Sequence, residues 1–165
     1  MQEIATLLSS RPAAAADDPF LLKLFASTRA EELALLNFSE QQKEAFIKMQ
    51  FEAQRRGYPP ADHQIIFFRD RPVGRTLVKR SDDGFQLIDI SLLPDARNAG
   101  IGEHLITELQ NEAAALGKPV KLHVMTTNPA RRLYERLGFK RIEEQSANAG
   151  AQVYLEMIWT PPDPR

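Results

Sequence analysis

Residues 97–102 read Arg97-Asn98-Ala99-Gly100-Ile101-Gly102, an R-x-x-G-x-G hexapeptide. It follows an apolar run, residues 88–93, and leads into a segment with helical periodicity from about residue 100 to 116. A loop of this kind can aim successive backbone N–H groups at one point. The helix N-terminus adds unsatisfied donors and a partial positive charge there. Gly100 and Gly102 carry no Cβ to hold a ligand away from the backbone, and Arg97 adds a formal charge. The chemistry these features point to is binding of a pyrophosphate. Neither of two better-known phosphate loops fits. No Lys-Ser/Thr follows the glycines, and their spacing is not G-x-G-x-x-G. By itself the hexapeptide is also compatible with a glycine-rich helix start that binds nothing.

Composition removes other chemistries. The chain has no cysteine, so disulfides, thiolate metal sites and a cysteine nucleophile are excluded. Its three histidines, His63, His104 and His123, are not accompanied by carboxylates at zinc-ligand spacing, and no metal is expected. A formal net charge of −1 gives no electrostatic reason to expect nucleic acid or an acidic membrane as a partner. No apolar run approaches the ~20 residues of a membrane span. Residues 1–10 lack a basic stretch followed by a long apolar one, so a cytoplasmic protein without a secretory signal is expected.

The elements that must position the loop can be read from periodicity and breakers. Residues 4–8 read as a short first strand. Asp18-Pro19 reads as an N-cap with Pro at the first helical position. Thr28 with Glu31, and Ser39 with Gln42, have capping-box spacing, which predicts helices over 19–27, 29–36 and 40–56. Gly57 and Pro59-Pro60 stop the last of these. Residues 63–69, 72–79 and 85–93 then form an antiparallel meander with turns at 69–71 and 81–84. Afterwards strand and helix alternate: helix 100–116, strand 120–125, helix 129–137, and strands 139–145 and 151–159 around Asn148-Ala149-Gly150. The expected fold is α/β, a mixed and mostly antiparallel sheet flanked by helices, in one domain over 1–160 with a frayed tail at 161–165.

Downstream of the loop comes Asn128-Pro129-Ala130-Arg131-Arg132-Leu133-Tyr134-Glu135-Arg136-Leu137-Gly138-Phe139. The R-x-x-G-x-G loop after a strand, followed by a strand and then N-P-A-x-x-L-Y-x-x-x-G-F, resembles the GNAT N-acetyltransferase superfamily. The resemblance covers roughly residues 65–159 in element order, with its specific motifs between 88 and 139. It implies the acyl-CoA N-acyltransferase fold with splayed central strands, acetyl-CoA as co-substrate, and transfer of acetyl to an amine.

Site residues carried over by the resemblance fall on matching positions. The backbone of Ser91 and Leu92 would pair with the pantetheine arm like an added strand. Arg97, Asn98, Ala99, Gly100, Ile101, Gly102 and Glu103 would cradle the pyrophosphate. Asn128 corresponds to an asparagine that contacts the cofactor arm, and Tyr134 to a tyrosine near the thioester sulfur. The interval from Asn128 to Tyr134 is one residue shorter than in many relatives. A phenol of pKa ~10 can protonate or hydrogen-bond a departing thiolate whose conjugate acid has pKa ~8.5. The bland alternative for Tyr134 is a helix tyrosine packed on the sheet.

His123 stands where some relatives carry a base. Leu122 and Val124 face one side of its strand, and Lys121, His123 and Met125 the other. A cleft-lining histidine without a chemical role is the alternative, and Asp89 could remove the proton instead, directly or through water. The acceptor stays open between a small polyamine or amino acid, an antibiotic-like amine, and a protein lysine or N-terminus. Phe46, Met49, Phe51, Tyr58 and Arg55-Arg56 are the candidates to wall its side of the site, although the aromatic and Met residues fit core positions as well. The resemblance is compatible with a homodimer, which nothing in the sequence shows. Two rival classes remain: a non-catalytic acyl-CoA-binding or sensing module, and a structural α/β domain.

Overall fold

The computed structural model describes residues 2–34, 37–56, 62–125, 128–142 and 154–162. The elements are α1 (Gln2–Leu7), β1 (Leu8–Pro12), α2 (Asp18–Ala34), α3 (Glu40–Arg56), β2 (His63–Phe68), β3 (Arg71–Ser81), β4 (Gly84–Leu92), α4 (Ile101–Ala115), β5 (Val120–Met125), α5 (Ala130–Arg136), β6 (Lys140–Arg141) and β7 (Tyr154–Trp159). The seven strands form one mixed sheet in the order β1-β2-β3-β4-β5-β7-β6, flanked by helices. It is the expected α/β fold. β4 and β5 pair in parallel over Phe85–Val120, Gln86–Lys121 and Leu87–Leu122, and both strands continue beyond that stretch. The chain divides into two compact units, Met1–Leu77 with Asp89–Ile101, and Val78–Ile88 with Gly102–Arg165.

In the first unit, α2 and α3 bury Leu21, Phe25, Leu33, Ile47 and Phe51 together with Ile65 of β2. The rings of Phe25 and Phe51 meet edge to face. The hairpin between β2 and β3 turns at Arg69-Asp70, both with positive φ, 51° and 65°, the twist that two-residue hairpins prefer. Ser39 and Gln42 form the expected reciprocal capping box at the start of α3. Ser39 N–H donates to Gln42 Oε1 at 2.8 Å, and Gln42 N–H to Ser39 Oγ at 3.1 Å.

Two expectations for this unit are corrected. The expected helices 19–27 and 29–36 are not separate where the structure describes them: α2 runs unbroken from Asp18 to Ala34. Thr28 Oγ1 donates back to the Phe25 carbonyl at 2.8 Å, and Ser27 Oγ to that of Leu24 at 2.7 Å, so these hydroxyls bond inside one helix instead of opening a second. The continuous apolar face from Leu21 to Leu33 favours one helix over two. Nor is the first strand at residues 4–8. Residues 2–7 are helical, and the strand is Leu8–Pro12, paired antiparallel with β2 from Leu8–Phe68 to Pro12–Gln64. It is mostly exposed, ends in proline at a sheet edge, and has no apolar alternation to betray it.

The second unit follows the expected alternation. α4 and α5 are each followed by a glycine with positive φ, Gly117 and Gly138. In β5, Val120, Leu122 and Val124 are buried while Lys121 and His123 are exposed, which is the predicted alternation; the Met125 side chain lies outside the described residues. β7 pairs antiparallel with β5 along its whole length. The expected strand at 139–145 is described only as Lys140–Arg141 and that at 151–159 only as Tyr154–Trp159. Residues 143–153 and 163–165, and with them Asn148-Ala149-Gly150, lie outside the described residues, as do Gly57, Tyr58 and Pro59-Pro60.

One ion pair ties β1 to the turn that precedes α2. Arg11 donates Nη1 and Nη2 to the two oxygens of Asp17, each at 2.8 Å, and Ala14 N–H donates to Asp17 Oδ2 at 2.7 Å. The hydrogen bond from Arg11 above all, with that from Ala14, lowers the Asp17 carboxyl below its ordinary value. A carboxyl held low in the folded state adds stability above its unfolded pKa of ~3.9, and loses it as pH falls through the folded value. Asp17→Asn is therefore expected to lower the melting temperature at pH 7. The effect will be small, because Arg11 is about half exposed, and the gap to wild type should close in melts below the ordinary carboxylate range. A constant gap from pH 7 to pH 2.5 would show that the charge at Asp17 does not matter.

Candidate functional site

The first unit supplies the end of β4 and the loop after it. Leu93 N–H donates to the Val73 carbonyl at 2.8 Å, which holds the strand end against β3. Gly74 makes that approach possible: a Cβ there would run into the Ser91 carbonyl oxygen and the Leu92 side chain. Ser91 and Leu92 are partly buried in this segment. A 3-10 turn, Pro94–Ala96, comes next. Arg97 then reaches back, its Nε donating to the Leu92 carbonyl at 3.0 Å. Arg97, Asn98 and Ala99 are exposed, Gly100 is partly buried and Ile101 is buried.

Two loop residues turn with left-handed backbone, Asn98 at φ 61° and Gly100 at φ 87°. Asparagine tolerates that region better than most residues, and glycine adopts it freely. Gly100 also lies against α1, where an added Cβ would sit 3.1 Å from Ile4 Cδ1. Its identity is thus explained by the fold itself. Gly102, in the first turn of α4, is different: a Cβ added there meets no atom of the described residues within 4 Å. Its φ is not in the left-handed region either, and glycine in a helix costs up to about 1 kcal/mol relative to alanine. A glycine at 102 leaves the backbone of the first turn of α4 uncovered on that side.

The same unit contains a group of side chains whose connection the sequence did not reveal. Arg75 of β3 is buried and donates Nη2 to Asp89 Oδ2 of β4 at 2.5 Å, and Ser91 Oγ donates to the same oxygen at 2.7 Å. Asp89, one of the two candidate bases, is therefore already engaged at Oδ2 by a guanidinium and a hydroxyl. An acid in the middle of an apolar strand was the signal that it needs a partner. Which residue provides it depends on strand pairing.

The second unit holds Gly102, Glu103, His123, Asn128 and Tyr134. Glu103 accepts from Arg136 Nη2 at 2.7 Å, a contact between the first turn of α4 and the last turn of α5. Asn128 precedes α5, and its Oδ1 accepts the Ala130 N–H at 2.9 Å, so it caps the helix that carries Tyr134. Tyr134 is 7% exposed, and its ring stands edge to face with Phe139 at 5.9 Å between centroids. Gln110, buried on α4, donates Nε2 to the Leu137 carbonyl at 2.9 Å and satisfies an acceptor at the C-terminal end of α5.

His123 is half exposed on β5, directly opposite Glu156 of β7, with Nε2 3.7 Å from Glu156 Oε2. That carboxylate was not foreseen, because only the strand register brings the two residues together. Of the residues expected to wall the acceptor side, Phe51 is buried, Phe46 partly buried and Met49 exposed. Tyr58 and the Arg55 side chain lie outside the described residues.

The acetyltransferase (GNAT) domain family matches residues 34–160. No curated protein sequence matches the chain. Among solved structures with the same fold is the PaiA N-acetyltransferase of Thermoplasma acidophilum in complex with coenzyme A, with a TM-score of 0.69 and 18% identity, covering 93% of this chain and 98% of that one. The protein PH1933 of Pyrococcus horikoshii OT3 has a TM-score of 0.69 and 14% identity, covering 94% and 99%. A protein of Corynebacterium glutamicum described as histone acetyltransferase HPA2 and related acetyltransferase has a TM-score of 0.67 and 22% identity, covering 95% and 98%. At these identities the structural likeness speaks for the fold, whereas the family match spans most of the sequence. The chain belongs to the acetyltransferase (GNAT) domain family.

Proposed function

We propose that this protein transfers acetyl from acetyl-CoA to a primary amine, small or protein-borne, by direct attack within a ternary complex. The observation that carries the donor half of this reading is Gly102, a helix glycine with open space beside it at the start of α4. Residues 97–103 form the cradle for the pyrophosphate of CoA in this reading, Glu103 through its backbone alone, and the backbone of Ser91 and Leu92 pairs with the pantetheine arm. PaiA, which shares the fold, was solved with coenzyme A, and this supports CoA as the donor's carrier. The family match covers residues 34–160, which supports reading that stretch as the greater part of one catalytic domain over 1–160. Among the described residues no helix is long and apolar enough to cross a membrane, and use of acetyl-CoA fits work in the cytoplasm.

The reaction needs few groups. The amine lone pair attacks the thioester carbonyl carbon, and the tetrahedral intermediate collapses with cleavage of the C–S bond. The departing sulfur takes its proton from the Tyr134 phenol. The proton lost by nitrogen goes to His123, and the Glu156 carboxylate then faces the imidazolium so formed. With no cysteine in the chain, an acetyl-cysteine intermediate has no residue to form on. Asn128 contributes by holding the start of α5, and with it the position of Tyr134. The burial of Tyr134 favours a second reading, a non-catalytic acyl-CoA-binding module in which the tyrosine only packs.

Calorimetric titration with acetyl-CoA followed by a free-thiol assay against an amine panel tests the proposal. One-to-one binding with thiol release is expected. Binding without release for any amine would favour the sensing module, and no binding at millimolar acetyl-CoA would end the assignment. Tyr134→Phe is expected to lower kcat at least tenfold while leaving CoA affinity within about twofold, since the lost hydroxyl acts on the leaving group. Unchanged turnover would remove Tyr134 from the mechanism. Gly102→Val should fold with a melting temperature near wild type, because the added side chain meets open space, yet lose CoA affinity by more than about tenfold. A folded Gly102→Val that binds CoA normally would show that the cradle lies elsewhere.

A further inference from the structure

We propose that Arg136 is the charge-balancing partner of the phosphate site, neutralising Glu103 so that a carboxylate in the first turn of α4 does not repel the bound pyrophosphate. This rests on the reading of residues 97–103 as the cofactor cradle. Glu103 is the acidic residue of that first turn. An acid there is favourable to the helix dipole and needs no partner for that purpose. The same turn, however, is where the proposed ligand places its own negative charge, and like charges at close range repel. The sequence thus sets an anion beside an anion site, and the structure supplies the counterion from a different helix. Arg136 Nη2 lies 2.7 Å from Glu103 Oε1.

Stability does not account for the pair. The Arg136 side chain is 63% exposed and that of Glu103 33%, and exposed ion pairs contribute little to folding. The C-terminal turn of α5 favours a cation in any case, which explains a basic residue at 136 but not its direction toward α4. Neutralisation of Glu103 explains both. It also gives Glu103 a role different from a direct contact: phosphate binding should tolerate loss of both charges and suffer from loss of the positive one alone.

The test is titration of CoA into wild type, Arg136→Ala, Arg136→Lys and the double variant Arg136→Ala/Glu103→Gln, at low salt and at about 1 M salt, where the screening length falls to about 3 Å. Arg136→Ala should bind CoA about tenfold more weakly at low salt, equivalent to about 1.4 kcal/mol, and the deficit should shrink at high salt. Arg136→Lys should keep most of the affinity, and adding Glu103→Gln to Arg136→Ala should recover most of the loss. Since the pair is exposed, melting temperatures should stay near wild type, and Arg136→Lys reports on the charge even if the alanine variant folds poorly. Equal binding by wild type and Arg136→Ala would overturn the proposal. So would a double variant as weak as Arg136→Ala, because Arg136 would then act by touching phosphate itself. Failure of the wild-type protein to bind CoA would sink the cradle reading, and this inference with it.

Discussion

A helix cannot satisfy the N–H groups of its own first turn, and the placement of that shortage at the start of α4 is the constraint on which the candidate site depends. In the segment before α4, two backbone donors are satisfied locally. Ala96 N–H goes to the Leu93 carbonyl and Arg97 N–H to that of Pro94 within the 3-10 turn. The strand end is pinned separately, by Leu93 N–H on Val73 and by the Arg97 side chain on the Leu92 carbonyl. The chain then turns through left-handed backbone at Asn98 and Gly100 and enters the helix at Ile101, whose buried side chain anchors the first turn. Strand, turn and helix start are thereby held in place by bonds that do not draw on the first-turn donors of α4. An anion is the partner such donors suit.

The same division between fixing bonds and chemistry is visible at α5, which is only seven residues long. A helix of that length is not stable on propensity alone and must be fixed from outside. Asn128 caps its start, Gln110 of α4 bonds to the Leu137 carbonyl at its end, and Phe139 packs on Tyr134 beyond it. Two of these three supports lie in the N-P-A-x-x-L-Y-x-x-x-G-F motif itself. The motif thus carries a structural message alongside its chemical one. Its asparagine and its G-F terminus set the ends of the helix and pack its tyrosine, whichever group the tyrosine later serves.

Much of this was legible in the sequence because it is local. The capping box at Ser39, the glycines after α4 and α5, and the alternation along β5 depend on residues a few positions apart, and the structure follows them. The expectations that needed correction depended on distant partners. Leu8–Pro12 becomes a strand because β2 offers it a backbone ladder, although its side chains are mostly exposed. Thr28 and Glu31 have capping-box spacing, but a continuous apolar face packed against α3 and β2 keeps α2 in one piece. For the candidate site the division is the same. Arg97–Gly102, Asn128 and Tyr134 could be picked out by motif. Arg75, Glu156 and Arg136 could not, since each takes its meaning from a residue on another strand or helix.

That second set bears on the choice of base. The resemblance put His123 forward as the base, with Asp89 as the alternative. In the structure their surroundings differ. Asp89 Oδ2 already accepts from the buried Arg75 guanidinium and from Ser91 Oγ, two charge-assisted bonds that tie it to its neighbours. His123 stands half exposed with the Glu156 carboxylate 3.7 Å from Nε2. The Arg75–Asp89 contact is short and its arginine buried, so removing one partner would leave the other charge poorly compensated, the usual sign of a structural pair. Strand pairing thus gives Asp89 a place in the sheet's own bonding, while the His123 ring stays exposed beside a carboxylate of the neighbouring strand.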